Sequence, residues 1–206
     1  MAVVQVRHPL LEHSLGILRD VRTAAAEFRQ HAALVSRILL IEASTRLATT
    51  KESIETPLVS TTVERLTHDV VFVPVLRAGL AMLLAVQDFF PGAAVGFIGL
   101  ERDEQTALAR GYYKKLPKLS EAHRVFVLDP MLATGGSIAA TVDALRAAGA
   151  RHTTLVCVVS APEGLAMIEE RFSGIDVVTG SVDSHLNEHK FIVPGLGDFG
   201  DRYFCT

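Results

Sequence analysis

The stretch Val125-Phe-Val-Leu-Asp129-Pro-Met-Leu-Ala-Thr134-Gly-Gly-Ser137 decides the fold. Its first half is an unbroken apolar run, as in a strand covered on both faces of a parallel sheet. Its second half turns on two glycines and leads into Ser137–Ala148, which reads as a helix closed by Gly149. A buried strand, a glycine turn and a helix in this order form the repeating half of a βαβ unit.

The same rhythm continues on both sides. Asp69–Leu76 is a second apolar run, followed by a helical stretch over 78–90. Ala94–Leu100 reads as a strand, as do Thr153–Ser160 and Ile175–Thr179. Between the last two lies a helix over Pro162–Phe172 with proline at its start. Nearer the N-terminus, residues 24–48 read as a helix with Phe28, Val35, Ile38, Leu39 and Glu42 marking one side. Thr49–Glu52 reads as a polar break, and Ile54–Val63, which contains Pro57, as an edge strand or hairpin arm. A polar segment over 101–121 and a Gly- and Asp-rich segment over 181–206 interrupt the alternation, and the latter is expected to be built from loops rather than a helix. The expected fold is therefore α/β, a mostly parallel twisted sheet flanked by helices with right-handed crossovers, in a single domain spanning residues 1–206.

Composition narrows the classes. Of 206 residues, 49% are hydrophobic and 21% charged, which excludes a disordered chain. With no tryptophan and 6% aromatics, the core must be mainly aliphatic. A net charge of −3 lacks the global basic field of a nucleic-acid binder, so no nucleic-acid partner is expected. No apolar run approaches a membrane span, and Met1–Pro9 lacks the pattern of a secretory leader. Cys157 lies in an apolar run and reads as a buried thiol; with Cys205 it shows neither metal-ligand nor CxxC spacing. A reducing, cytoplasmic setting fits this usage. The eight histidines have no ligand spacing and read as surface or capping residues.

Chemistry is expected where strands end, because open α/β sheets bind ligands beyond their carboxyl edge. Gly135 and Gly136 let backbone approach an anion, the first amides of the helix point outward unpaired, and Thr134 and Ser137 add hydroxyls. Asp129 is unsuited to phosphate and needs a sugar hydroxyl or a metal as partner. The loop matches neither GxxxxGK[ST] nor GxGxxG. The same residues could make an ordinary Thr-Gly-Gly turn with a serine cap; the buried strand and Asp129 favour the cradle. Arg77, in Val73-Pro-Val-Leu-Arg77-Ala-Gly79, is either a solvated charge or a planar fork for pyrophosphate. Arg102 sits in the charged run Glu101–Thr106, which by default is a solvated loop. In the tail Asn187–Arg202, exposed loop backbone could read the edge of a small planar base.

Asp129-Pro-Met-Leu-Ala-Thr-Gly-Gly-Ser137 resembles the phosphoribosyl pyrophosphate loop of uracil phosphoribosyltransferases, a branch of the type I phosphoribosyltransferases. Pro130 stands where most type I members have a second acid, a departure that resembles the uracil branch. The likeness runs from Arg7-His-Pro-Leu10 through Ala161-Pro-Glu-Gly164 to the C-terminus. It implies conversion of uracil and phosphoribosyl pyrophosphate to UMP and pyrophosphate, with Mg²⁺ as cofactor held mainly by substrate oxygens and water. It assigns Asp129, Pro130, Met131, Leu132, Ala133, Thr134, Gly135, Gly136 and Ser137 to the phosphoribosyl substrate, with Arg77 and Arg102 on its pyrophosphate. It assigns Ile192, Gly197, Asp198 and Phe199 to uracil, Asp198 also reaching the sugar phosphate. It suggests a homo-oligomer, at least a dimer, and leaves activation by GTP open. Glu101, Lys190 and Cys205 depart from the family pattern, the last two replacing glycines. Phosphoribosyltransferases for other bases, an RNA-binding regulator on the same fold and an inactive relative are the competing readings.

Overall fold

The computed structural model describes residues 2–102 and 109–206 of the chain. Elements follow in the order β1 (Val3–Gln5), α1 (Pro9–Arg19), α2 (Ala25–Ser44), β2 (Thr49–Glu55), β3 (Ser60–Leu66), β4 (Asp69–Leu76), α3 (Gly79–Val86), β5 (Ala94–Val95), β6 (Phe97–Arg102) and β7 (Ala109–Lys115). The second half holds β8 (His123–Leu128), β9 (Met131–Leu132), α4 (Gly136–Ala147), β10 (His152–Ser160), α5 (Pro162–Arg171), β11 (Asp176–Val182), β12 (His185–Leu186), β13 (Ile192–Val193) and α6 (Phe199–Phe204).

The main sheet runs β1-β11-β10-β8-β4-β6-β7 and is parallel except for β7, which lies antiparallel on β6. Along β4 the side chains alternate between two cores. Val70 and Phe72 join α1, α2 and α3, whereas Val71, Val73 and Val75 join α4 and α5 on the other face. Both faces are thus covered, which is why β4 and β8 read as continuous apolar runs.

Strand β4 is followed in sequence by β6 on one side and later by β8 on the other. That reversal opens a crevice beyond the carboxyl ends of β4 and β8, the place where Arg77 and Asp129 follow their strands. The two strand ends lie close together: a β-carbon on Gly79 would run into the Leu128 carbonyl oxygen.

Four expectations need correction. Thr49–Glu52 is part of strand β2, paired throughout with β3 in an almost wholly exposed hairpin. The helix expected over 78–90 ends at Val86 and finishes as a 3₁₀ turn at Gln87–Phe89. The polar segment over 101–121 contains edge strand β7. The C-terminal segment includes helix α6, with Phe199 stacked on Tyr203 and edge-on to Phe28. Tertiary packing stabilises that helix, and Asp198 caps it by accepting a hydrogen bond from Asp201 N at 2.9 Å.

A candidate phosphoribosyl and base-binding site

The loop from Asp129 to Ser137 is anchored on β10. The Pro130 carbonyl accepts from Val158 N and Val159 N, each at 3.0 Å, and the Leu132 carbonyl from Ala161 N at 2.8 Å. Gly135 then turns the chain at φ 83°, a conformation glycine adopts without a side-chain clash. A β-carbon there would also meet Met167 of α5. The first helical hydrogen bond of α4 is Ala139 N to Gly135 O at 2.8 Å, so the amides of 136–138 stand ahead of the helix ladder. Gly136 N has only a long contact, 3.5 Å, to the Thr134 hydroxyl. These groups face a cavity of about 150 Å³ lined by Asp129, Met131–Ile138 and Lys190.

Asp129 is the acid of that cavity. Burial pushes its pKa up to about 7, opposed by a hydrogen bond from Met131 N at 3.2 Å. Burial, with Asp129 nearby, also raises the pKa of the Cys157 thiol, which lies buried as its apolar run implies.

A second cavity, of about 210 Å³, adjoins the first and shares Met131, Ala133 and Lys190 with it. Its other walls include Ile192 and the run 197–200. Ile192 is buried, Gly197 turns at φ 81° and the Phe199 side chain points into the core. Backbone of 197–199 therefore lines a pocket beside the phosphate cradle. The peptide bonds Leu76–Arg77 and Val193–Pro194 are both cis.

The structure places the expected residues unevenly. Asp129, Met131–Ser137 and the set Ile192, Gly197, Asp198, Phe199 come together around the paired cavities, whereas Pro130 lines neither and its carbonyl is bonded to β10. Arg77 is turned toward the C-terminus, donating to Asp201 Oδ1 at 3.0 Å and to the Thr206 hydroxyl at 3.3 Å. The backbone of Arg102 ends β6, but its side chain lies outside the described residues. Asp198 lines the second cavity while capping α6. Lys190 and Cys205 both adopt φ 64°, the left-handed region that favours glycine. Among the described residues, no group of three or more His, Cys, Asp or Glu is placed to hold a metal ion.

Three residues that hold the second cavity in place were not anticipated. Asp183 is buried and receives both Arg19 guanidinium nitrogens, at 2.6 and 2.8 Å, the Ser181 hydroxyl at 2.7 Å and Gly195 N at 2.8 Å. Burial alone would raise its pKa, but these donors hold it below the ordinary value. Arg19 also donates to the Gly195 carbonyl at 2.6 Å. Arg202 donates to the carbonyls of Leu18, Asp20 and Leu196 and lies 4.5 Å over the Phe28 ring. The end of α1 thus clasps the C-terminal segment. Proline at the first position of that helix and arginine in its last turn were the available sequence signals.

A parallel sheet with a glycine-turned anion cradle beyond one strand and a hood beside it defines the class: a phosphoribosyltransferase fold. A hypoxanthine phosphoribosyltransferase from Staphylococcus aureus shares that fold at a TM-score of 0.51 and 10% identity, over 78% of this chain and 76% of its own. A much nearer likeness is the structure of AQ2163 protein from Aquifex aeolicus, with TM-score 0.92 and 35% identity over 99% of this chain and 98% of that one. The family model of uracil phosphoribosyltransferase matches residues 4–206. A uracil phosphoribosyltransferase from Agathobacter rectalis is 44% identical over 205 residues, 99% of this chain and 98% of its own. The chain belongs to the uracil phosphoribosyltransferase family, whose members are pentosyltransferases.

Proposed function

We propose that the protein transfers a phosphoribosyl group from phosphoribosyl pyrophosphate to uracil, forming UMP and pyrophosphate in pyrimidine salvage. The observation that carries this reading is the junction of two cavities, an anion cradle and a backbone-lined base pocket, sharing Met131, Ala133 and Lys190. UMP has the same two parts, a phosphate ester and a planar base.

In this reading the amides of 136–138, with the Thr134 and Ser137 hydroxyls, hold the 5′-phosphate. Asp129 accepts a hydrogen bond from a ribose hydroxyl. A ring nitrogen of uracil attacks the anomeric carbon as the bond to pyrophosphate breaks, through a transition state with oxocarbenium character. The chain needs no covalent nucleophile; its work is positioning and charge stabilisation. Arg77 leaves Asp201 to meet the departing pyrophosphate, and Arg102 meets it from the end of β6. Around uracil, the backbone of Gly197–Phe199 offers the donors and acceptor that match carbonyls flanking an N–H. A cytosine edge would leave a buried group unpaired, a mismatch that can discriminate by roughly 10⁴-fold.

Magnesium is read as arriving with the substrate. Asp129 is the described carboxylate of the cradle, and one carboxylate with substrate oxygens suits a Mg²⁺ that keeps its waters. When bound, such an ion would supply charge neutralisation on the pyrophosphate. The same reading makes residues 1–206 one domain, working in the cytoplasm as a homo-oligomer and using neither nucleic acid nor membrane. Among the described residues no helix is long and apolar enough to cross a membrane. The β2–β3 hairpin supports association: among the described residues it pairs with no third strand, it exposes Leu58 and Val59 near its tip, and two-stranded hairpins are marginal alone.

The test is product formation by purified protein with phosphoribosyl pyrophosphate and Mg²⁺, using uracil, cytosine, hypoxanthine and adenine in parallel. UMP from uracil alone, abolished by chelator, is the expected result. Turnover of another base, or of none with or without GTP, would overturn the reading.

A further inference from the structure

Lys190 occupies an unfavourable backbone position beside the site. It sits in the turn between β12 and β13, where Asn187 closes the hairpin by accepting from His189 N at 3.0 Å and Phe191 N at 2.9 Å through its side chain. Lys190 N donates to the Asn187 carbonyl at 2.9 Å. At φ 64° a side chain with a β-carbon is held against its steric preference, and glycine would make the same turn more cheaply. The turn itself therefore gives no reason for a lysine.

The cavities do. Lys190 lines both, and among the described residues it is the one basic residue that lines either. The acids there are Asp129 in the cradle and Asp198 in the base pocket. A site with two carboxylates and one ammonium must still attract a phosphate ester, and Arg77, the nearby guanidinium, is engaged with Asp201 outside both cavities. Neutral amides and hydroxyls complete the cradle. The geometry points to Lys190 as a substrate-binding residue whose ammonium contacts the phosphate ester of the phosphoribosyl substrate and of UMP. This rests on the proposed phosphoribosyl transfer. It adds a charged contact on the hood side of the site, carried by the hairpin rather than by the loop after β8.

The test compares wild type with Lys190→Gln, Lys190→Arg and Lys190→Gly by calorimetric titration of UMP and uridine, with steady-state kinetics and thermal melting alongside. The loss of one charged hydrogen bond predicts that Lys190→Gln weakens UMP and raises KM for phosphoribosyl pyrophosphate by roughly ten-fold. Uridine affinity, kcat and KM for uracil should change less than about two-fold, and Lys190→Arg should recover most of the UMP affinity. Lys190→Gly should bind UMP as poorly as Lys190→Gln while melting no lower than wild type, which separates charge from folding. Equal UMP affinity in wild type and Lys190→Gln would overturn the inference and leave the proposed function standing. So would a parallel loss for uridine, or a lowered melting temperature with unchanged affinity. Wild type that binds no UMP and makes none would remove the proposed function and this inference together.

Discussion

Asp129→Asn separates what the site costs from what it does. The native Asp129 titrates near pH 7 because burial disfavours its charge. In the unfolded chain it titrates near 3.9. Between those values the native state holds a proton the unfolded chain has lost, so this group makes stability fall as pH rises from about 4 to 7. Above 7 both states are ionised and the full cost is present. A difference of about three pK units is worth at most about 4 kcal/mol, and water entering the open cradle reduces it to roughly 2–3. Asparagine keeps the acceptor for Met131 N and carries no charge. The variant should therefore be roughly 2–3 kcal/mol more stable than wild type at pH 8 and about equal at pH 4. Urea unfolding at both pH values, at one fixed protein concentration, measures this. The same variant should lose at least about ten-fold in kcat/KM for phosphoribosyl pyrophosphate, since a hydrogen bond to a charged group is lost. A variant less stable than wild type at pH 8, or shifted equally at both pH values, would falsify the burial argument. Unchanged kcat/KM would remove Asp129 from the sugar.

Other consequences follow from particular contacts. In wild type, KM for phosphoribosyl pyrophosphate should rise as pH falls through about 7, because protonated Asp129 is a poorer acceptor, and this dependence should vanish in Asp129→Asn; a pH-independent KM in wild type counts against it. Gly135→Ala places a β-carbon at φ 83° against Met167 and should cost at least about 1 kcal/mol in urea unfolding while weakening UMP binding. Arg19→Ala leaves buried Asp183 without its guanidinium and should cost about 3–5 kcal/mol, read as a lower unfolding midpoint. Cys205→Gly relieves φ 64° at the end of α6 and should raise the melting temperature by a few degrees, for a gain of up to about 1 kcal/mol; a lower melting temperature would show that the Arg29 contact to its sulfur matters more.

The sheet was legible where burial was two-sided. Strands β4 and β8 are apolar on both faces, so they stand out as continuous runs. Strands β2 and β3 were harder to read because the hairpin has almost no buried face and hence no alternation. Strand β7 is a sheet edge that lies within the polar segment over 101–121, and its pairing with β6 is a tertiary fact. Helix α6 is short and Gly-containing, and its apolar face exists only because Phe28 lies opposite Phe199. The cradle was legible because its groups are contiguous in sequence. The Arg19–Asp183 clasp was not, because 164 positions separate partners that only the fold brings together. The Lys190 turn was visible as a departure from glycine, and its φ of 64° shows what that departure costs the backbone.

The central claim is that one ligand spans both cavities, phosphate in the cradle and base in the hood. Its most direct measurement is a crystal structure of the protein with UMP. The account predicts phosphate oxygens within hydrogen-bond distance of the amides of residues 136–138 and a uracil edge against the backbone of Gly197–Phe199. UMP bound with its phosphate away from the Thr134–Ser137 turn, or with its base outside the pocket walled by Ile192 and Gly197, would contradict it.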